Sequence, residues 1–488
     1  MTSSLRWSYG TNLGLLLAQT AATMVMARLV APEEYGLFGA ALGMVRFIQY
    51  VSFLGVVSAI VRDPNHDPRR DAPILFLSLV ATNGLLVVAI WLGAPLIVHA
   101  SSELADRGVQ VLQVLSLTLL FGGMGQVSEG MIRRALDFRF LGLRSLAVFV
   151  MGQGLVAIPL ACLGFGVWSV VSGVLVQTAL GTILSWWRSP HRPWPVGGER
   201  LDLRRLMRLC GSFSALRAAD SAGIHLLPLV VAVLAGTAAV GLWDRSVILI
   251  ALPLTILSTG FSQVLFAALS RMTEDRSRLP HILEDLLLVG PALGPPVAFG
   301  MAVAATDLVP VILGPDWTGA APVLAWIGLW LGVKSLAELT GPYCEALGWI
   351  GRRLAQQGIY LFVLGVTLAL VRPETSWEVA RLLALLEIPA QIALVAIAAL
   401  GVGRPVLRTL SVLVAGLFPA LVVVLGCAAT VWLGEVLAWP PVARLVFEII
   451  VCALCLGLGL LFHPVTQARR LVYTYVFGSF FGMGRPEV

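Results

Sequence analysis

Apolar positions along this chain gather in runs of about twenty residues or more, separated by short polar turns rich in Arg, Pro and Gly. A run of that length is what an α-helix needs to cross a hydrocarbon core of roughly 30 Å at about 1.5 Å per residue. The pattern predicts spans near 7–29, 36–61, 73–97, 108–131, 143–163, 166–187, 207–235, 240–269, 282–306, 321–347, 354–371, 379–400, 409–433 and 440–463. The first of these outruns the apolar core of a signal peptide, roughly 7–15 residues, and no clear A-x-A site follows, so it reads as a retained helix. The expected fold class is an all-α polytopic membrane protein with about fourteen transmembrane helices.

The pattern also repeats. Leu29-Val30-Ala31-Pro32-Glu33-Glu34-Tyr35-Gly36-Leu37-Phe38 is echoed by Leu234-Ala235-Gly236-Thr237-Ala238-Ala239-Val240-Gly241-Leu242-Trp243. Glu129 precedes Arg133-Arg134, and Glu345 precedes Arg352-Arg353, at corresponding inner helix ends. A duplicated helix–turn–helix in an apolar chain points to a transporter of two like-oriented bundles. The expected organisation is a six-helix bundle over 1–187, a Pro-, Gly- and Arg-rich cytoplasmic linker over 188–206, a second six-helix bundle over 207–400, and helices 13 and 14 with a tail over 401–488. The tail, with Arg469, Arg470 and several aromatic residues, suits the inner face of a membrane.

Composition agrees. The chain is 58% apolar and 12% charged, with a mean hydropathy of +0.89, whereas a soluble protein carries about 25% charged residues. A net charge of +6 does not call for nucleic acid, because the arginines follow the loops. Alternate loops hold Arg62, Arg69 and Arg70, then Arg133, Arg134, Arg139 and Arg144, and so on to Arg469. The opposite loops hold only Arg107 and Arg372, which places both termini in the cytoplasm. The six cysteines lie in or beside apolar runs, and the Cys452/Cys455 pair has no His or acid beside it, so they read as small apolar residues.

Charges inside spans are the candidate chemistry, because each costs roughly 2.5–3.5 kcal/mol at a helix centre. Arg46 lies ten residues past Gly36, about 15 Å into its span, with no carboxylate among its helical neighbours. Arg217 has Asp220 three residues on, and Lys334, the single lysine, has Glu338 four residues on. Arg444 and Glu448 read as a self-paired couple, and Arg28 and Arg245 as snorkelling residues at outer helix ends. There is no Walker A sequence, HExxH or GxSxG, so no enzyme and no cofactor is expected.

Five stretches together resemble the Wzx-type polysaccharide-export flippases of the multidrug/oligosaccharidyl-lipid/polysaccharide exporter superfamily. They are ARLVAPEEYGLFGAAL at 27–42, RRALDFRFLGLRSL at 133–146, GLWDRSVILIALPLTILSTGFSQVLFAALSRMTEDRSRL at 241–279, LVPVILGPDWTGAAPVL at 308–324 and GPYCEALGWIGRR at 341–353. The resemblance implies a V-shaped helical fold that moves an undecaprenyl-pyrophosphate-linked oligosaccharide from the inner to the outer leaflet of the bacterial inner membrane. It also implies membrane lipids, a polysaccharide polymerase and export machinery as partners. One departure is plain: LLPLVVAVLAG, ending at Gly236, carries Leu227 and Val233 where the family's helix 7 has an acid and an arginine. That family contact is not carried over.

Set beside this resemblance, Arg46, Arg217 and Lys334 are the candidate substrate-binding residues of a cationic cavity, since a guanidinium donates paired hydrogen bonds to a phosphate. Asp220, Glu338, Glu129 and His225 are the candidates for a driving ion, H+ or Na+. The expected role is in exopolysaccharide, capsule or O-antigen assembly. The alternatives are a drug or cation exporter of the same superfamily, which needs acids in helices 1 to 3, and a membrane polymerase or ligase, which needs larger outer loops.

Overall fold

The computed structural model describes residues 2–53, 60, 68–98, 105–191, 223–272 and 279–465, and among them every regular element is helical. In a bilayer only helices and closed barrels satisfy their own backbone polar groups, and these sequences lack the alternation of a strand. Ten helices among the described residues are long and apolar enough to span, and Leu13–Leu29 and Ala320–Lys334 are shorter apolar helices. The chain divides into two compact units, Met1–Asp244 and Arg245–Val488. The expected linker over 188–206 lies, from residue 192 onward, outside the described residues.

The first unit contains α1 (Thr2–Leu29), α2 (Pro32–Phe53), α3 (Pro68–Val98), α4 (Ala105–Arg134), α5 (Phe138–Cys162), α6 (Val167–Arg188) and the start of α7 (Leu227–Met272). Helix α4 is its centre and packs against α2, α3 and α6. The expected break between 163 and 166 is made by Gly164 and Gly166, whose φ values of 82° and 55° only glycine adopts freely. Residues Val150–Ala157 of α5 form a π-helical stretch, just before Pro159, which has no N–H for the regular ladder.

Gly236, at φ 85°, breaks α7 where the turn between the seventh and eighth spans is expected. The echo then meets itself. A Cβ on Gly36 would land on the Thr237 carbonyl, and one on Gly241 would land on the Pro32 carbonyl. Positions 32 and 36 correspond in the repeat to 237 and 241, so the two contacts are the same contact exchanged. Gly39 and Gly43 continue the face, against Val240 and against the His225 carbonyl. Small residues in this register let two helices approach backbone to backbone.

The second unit holds the rest of α7, then α8 (Leu279–Val289), α9 (Gly294–Val303), α10 (Ala305–Ile312) and α11 (Ala320–Lys334). It continues with α12 (Ala337–Ala346), α13 (Ile350–Val371), α14 (Ser376–Gly401), α15 (Val406–Gly416), α16 (Phe418–Val436) and α17 (Pro441–Leu461). Three expected spans are each split. The run at 282–306 breaks before Pro295-Pro296, that at 321–347 breaks at Ser335-Leu336, and that at 409–433 breaks at Leu417 before Pro419. A proline fits the first turn of a helix and not its interior, which places two of these breaks. Between α13 and α14 Arg372 turns left-handed, and Glu378 accepts hydrogen bonds from the backbone N–H groups of Glu374 and Thr375.

Gly36→Ala drives a methyl into a backbone carbonyl that cannot rotate away, so it is expected to destabilise the protein by about 1–3 kcal/mol or more. Thermal unfolding of the purified protein tests this, with Gly84→Ala, whose Cβ meets open space, expected to melt with the wild type.

Candidate substrate cavity

The C-terminal end of α4 carries Glu129, and both of its oxygens are taken. Arg133, one turn on, donates to Oε1 from Nε at 3.1 Å and Nη2 at 2.7 Å. Arg144 of α5 donates to Oε2 at 3.2 Å and also to Ser185 Oγ of α6. This network closes one wall of a cavity of about 360 Å³ inside the first unit, within the size range of small-molecule pockets, roughly 300–1,000 Å³.

Four glutamines from four helices line that cavity: Gln19 of α1, Gln49 of α2, Gln126 of α4 and Gln177 of α6. Gln177 donates to Gln153 at 3.3 Å. Among the described residues the side chains of Gln19, Gln49 and Gln126 make no hydrogen bond, although each is half-buried. None of the three amides is sealed from solvent, so each can exchange water for a ligand that enters the hollow. Thr182 Oγ1 and Ser185 Oγ, also in the lining, donate to the Phe121 and Gly181 carbonyls. Sequence reasoning missed these glutamines because none is charged. Spacing held only a signal within single helices, which does not join one helix to another: Gln126 precedes Glu129 by three residues, and Thr178, Thr182 and Ser185 share one face of α6.

Of the residues singled out by charge, Arg46, Glu129 and His225 belong to the first unit and Lys334 and Glu338 to the second. Arg46 is exposed on α2 and makes no ion pair among the described residues. One turn on, Tyr50 stacks obliquely on His225, with ring centroids 5.0 Å apart, and Arg46 exerts its charge on that same imidazole. Arg217 and Asp220 lie outside the described residues. In the second unit Lys334 is half-buried, with Nζ 5.8 Å from the centre of the Trp330 ring. Glu338 is exposed, and no ion pair joins it to Lys334, because α11 ends at Lys334 and α12 begins at Ala337, which breaks the helical spacing.

Three further expectations are corrected. Arg444 does not close on Glu448 of its own helix; it reaches Asp307 of α10 at 2.5 Å. Asp307 and Glu448 are each only 1% exposed, and no oxygen of either has a well-angled hydrogen bond. Arg245 is buried at 6% exposure rather than snorkelling. Cys427 and Cys452 are joined as a disulfide between α16 and α17, so Cys452 pairs across helices rather than standing as a small apolar residue. Charge patterning also overlooked Glu387 of α14, 2% exposed, which accepts hydrogen bonds from Trp330 Nε1 at 3.0 Å and Gln391 Nε2 at 2.7 Å.

The polysaccharide biosynthesis protein family matches this chain over residues 25–322. The chain belongs to that family. ExoT of Rhizobium meliloti (strain 1021), named a succinoglycan biosynthesis transport protein, is 24% identical over 359 residues, covering 71% of this chain and 69% of ExoT. The solved structure of the lipid II flippase MurJ in an inward closed conformation shares the fold, with a TM-score of 0.68 at 14% identity, over 94% of this chain and 98% of MurJ. An inward-facing multidrug resistance MATE family transporter of the MOP superfamily superposes with a TM-score of 0.58 at 17% identity, over 83% and 98%. The resemblance read from the five stretches therefore holds for family and fold, and the protein is a multi-pass membrane protein of polysaccharide biosynthesis.

Just beyond α6, His191 is caged by Phe76 and Trp186, ring centroids 5.1 and 5.2 Å away, with Nδ1 3.0 Å from Ser128 Oγ. Burial pushes its pKa below the ordinary 6.5. The folded state thus binds fewer protons there than the unfolded one. The cage contributes stability above pH 6.5 that is lost as pH falls through it. Melting temperature is expected to drop between about pH 7.5 and pH 5.5, and this drop should shrink in His191→Phe. Arg444→Met should destabilise the second unit by about 3–5 kcal/mol, since it leaves two buried carboxylates without a cation. A thermal melt shows this, with stability partly recovered in the double variant Arg444→Met/Asp307→Asn.

Proposed function

We propose that this protein is a flippase. In this reading it carries undecaprenyl-pyrophosphate-linked oligosaccharide repeat units from the inner to the outer leaflet of the bacterial inner membrane, feeding a polymerase and export machinery outside. Both termini are cytoplasmic, and the carrier alternates access between the two sides. Family membership and the transport role in the name of ExoT support the pathway. The MurJ-like fold is suited to a lipid-linked saccharide.

The observation that carries the reading beyond the family is Arg46. Arg46 sits in the body of α2, where the sequence expects a span, exposed and without an ion-pair partner among the described residues, and a guanidinium within a bilayer is expensive unless an anion visits it. Arg46, with Arg217 and Lys334, would hold the diphosphate, the planar fork of each arginine matching two phosphate oxygens. A gradient of H+ or Na+ drives the cycle in this proposal. Asp220, Glu338 and His225 are the groups for coupling, whereas Glu129 has both oxygens committed to arginines. The MATE-like fold keeps a cation exporter as the second reading, and cavity charge separates the two.

Arg46→Ala, inserted at the wild-type level, is expected to lower polysaccharide export by about tenfold or more in a deletion strain, and Arg46→Lys to recover only part of it. Undecaprenyl-linked repeat units should accumulate on the inner leaflet of the deletion strain. Export at the wild-type rate by Arg46→Ala overturns the diphosphate role, and resistance to cationic drugs without any change in polysaccharide favours the second reading.

A further inference from the structure

We infer that the glutamine-lined cavity of the first unit is a subsite for an uncharged sugar residue, distinct from the arginines proposed to hold the diphosphate. The inference deepens the flippase reading and rests on it for the biological identity of the ligand, though not for the chemistry of the site.

Apart from the closed Glu129–Arg144 pair, the cavity's polar side chains are neutral. Each glutamine offers a carbonyl oxygen and two N–H donors, and a ring hydroxyl both donates and accepts, so an amide and a sugar hydroxyl satisfy each other in either direction. Gln19, Gln49 and Gln126 come from three different helices and have no partner among the described residues. Amides set on three helices can meet hydroxyls spread around a ring.

The charged groups of the cavity argue the same way. Arg144 is committed to Glu129 and to Ser185 Oγ, and Glu129 is committed to Arg144 and Arg133. An arriving carboxylate or phosphate would have to compete with Glu129 for Arg144. An arriving cation would meet a carboxylate whose oxygens are both occupied. Gly122, Gly125 and Gly181 line the cavity without side chains, and its volume of about 360 Å³ suits one sugar residue better than an extended chain. The lipid-linked saccharide is thereby read in two places, its diphosphate by charge and one sugar by neutral hydrogen bonds.

The test uses the full-length protein in lipid nanodiscs and saturation-transfer NMR with free glucose, galactose, glucuronate and inorganic pyrophosphate as probes. A neutral hexose should give signal that glucuronate and pyrophosphate do not displace. Gln126→Leu should weaken that binding about fivefold, the equivalent of ~1 kcal/mol for one lost hydrogen bond, and Gln49→Leu/Gln126→Leu further. Should the leucine variants fail to fold, Gln126→Glu keeps a polar side chain at the site and is expected to lose hexose signal by a similar factor. Hexose signal unchanged in these variants overturns the subsite, as does glucuronate binding more tightly than either hexose. Glutamine-dependent hexose binding in a protein whose deletion leaves lipid-linked repeat units unaffected keeps the subsite and overturns the flippase reading. Normal accumulation on deletion without glutamine-dependent binding does the reverse.

Discussion

A polar atom inside a bilayer must find its partner within the protein, because the hydrocarbon offers none. That constraint makes the chain helical, and it governs the side chains as well. Asn83, fully buried in α3, accepts from Ser52 and donates to the Leu79 carbonyl. Trp91 and Gln113 exchange hydrogen bonds between α3 and α4. Glu387 has an indole and an amide for its two oxygens. Unlike these three, the amides of Gln19, Gln49 and Gln126 and the guanidinium of Arg46 have no hydrogen-bond or ion-pair partner among the described residues, and they are where a ligand has something to do.

The same constraint sets how closely helices approach. Where α2 meets the start of α7, glycines remove the side chains that would hold the backbones apart, and carbonyls rest on bare Cα atoms. The duplicated segment makes this contact with its own copy. A change at Gly36 or Gly241 therefore acts on both halves of one exchanged contact, whereas Gly84, with open space around it, is bound by no such requirement.

The two units use charge differently. In the first, Glu129 and Arg144 line a polar cavity as a closed pair of opposite charges, with Arg133 held to Glu129 behind them. In the second, the buried acids Asp307 and Glu448 have one half-buried cation, Arg444, reaching Asp307, beside an apolar cavity of about 260 Å³ that Glu448 helps to line. The fold is shared with structures titled a lipid II flippase and a multidrug resistance transporter, so function is read from the sites and not from the scaffold.

The sequence by itself determined the membrane class, most of the spans, the repeat and the family, because hydrophobic length, glycine and proline act locally on the backbone. Gly236 turns the chain where the echo places a turn, and Gly164 and Gly166 separate two spans at the expected point. Tertiary structure alone decided the partners. Arg444 looked bound to Glu448 by helical spacing and chose Asp307; Lys334 and Glu338 shared that spacing until a break at Ser335 removed it. Four glutamines on four helices carried no mutual signature in one dimension, since nothing in their spacing along the chain shows that they face one hollow. Side-chain pairing depends on distances between helices, and only the packed bundle sets those.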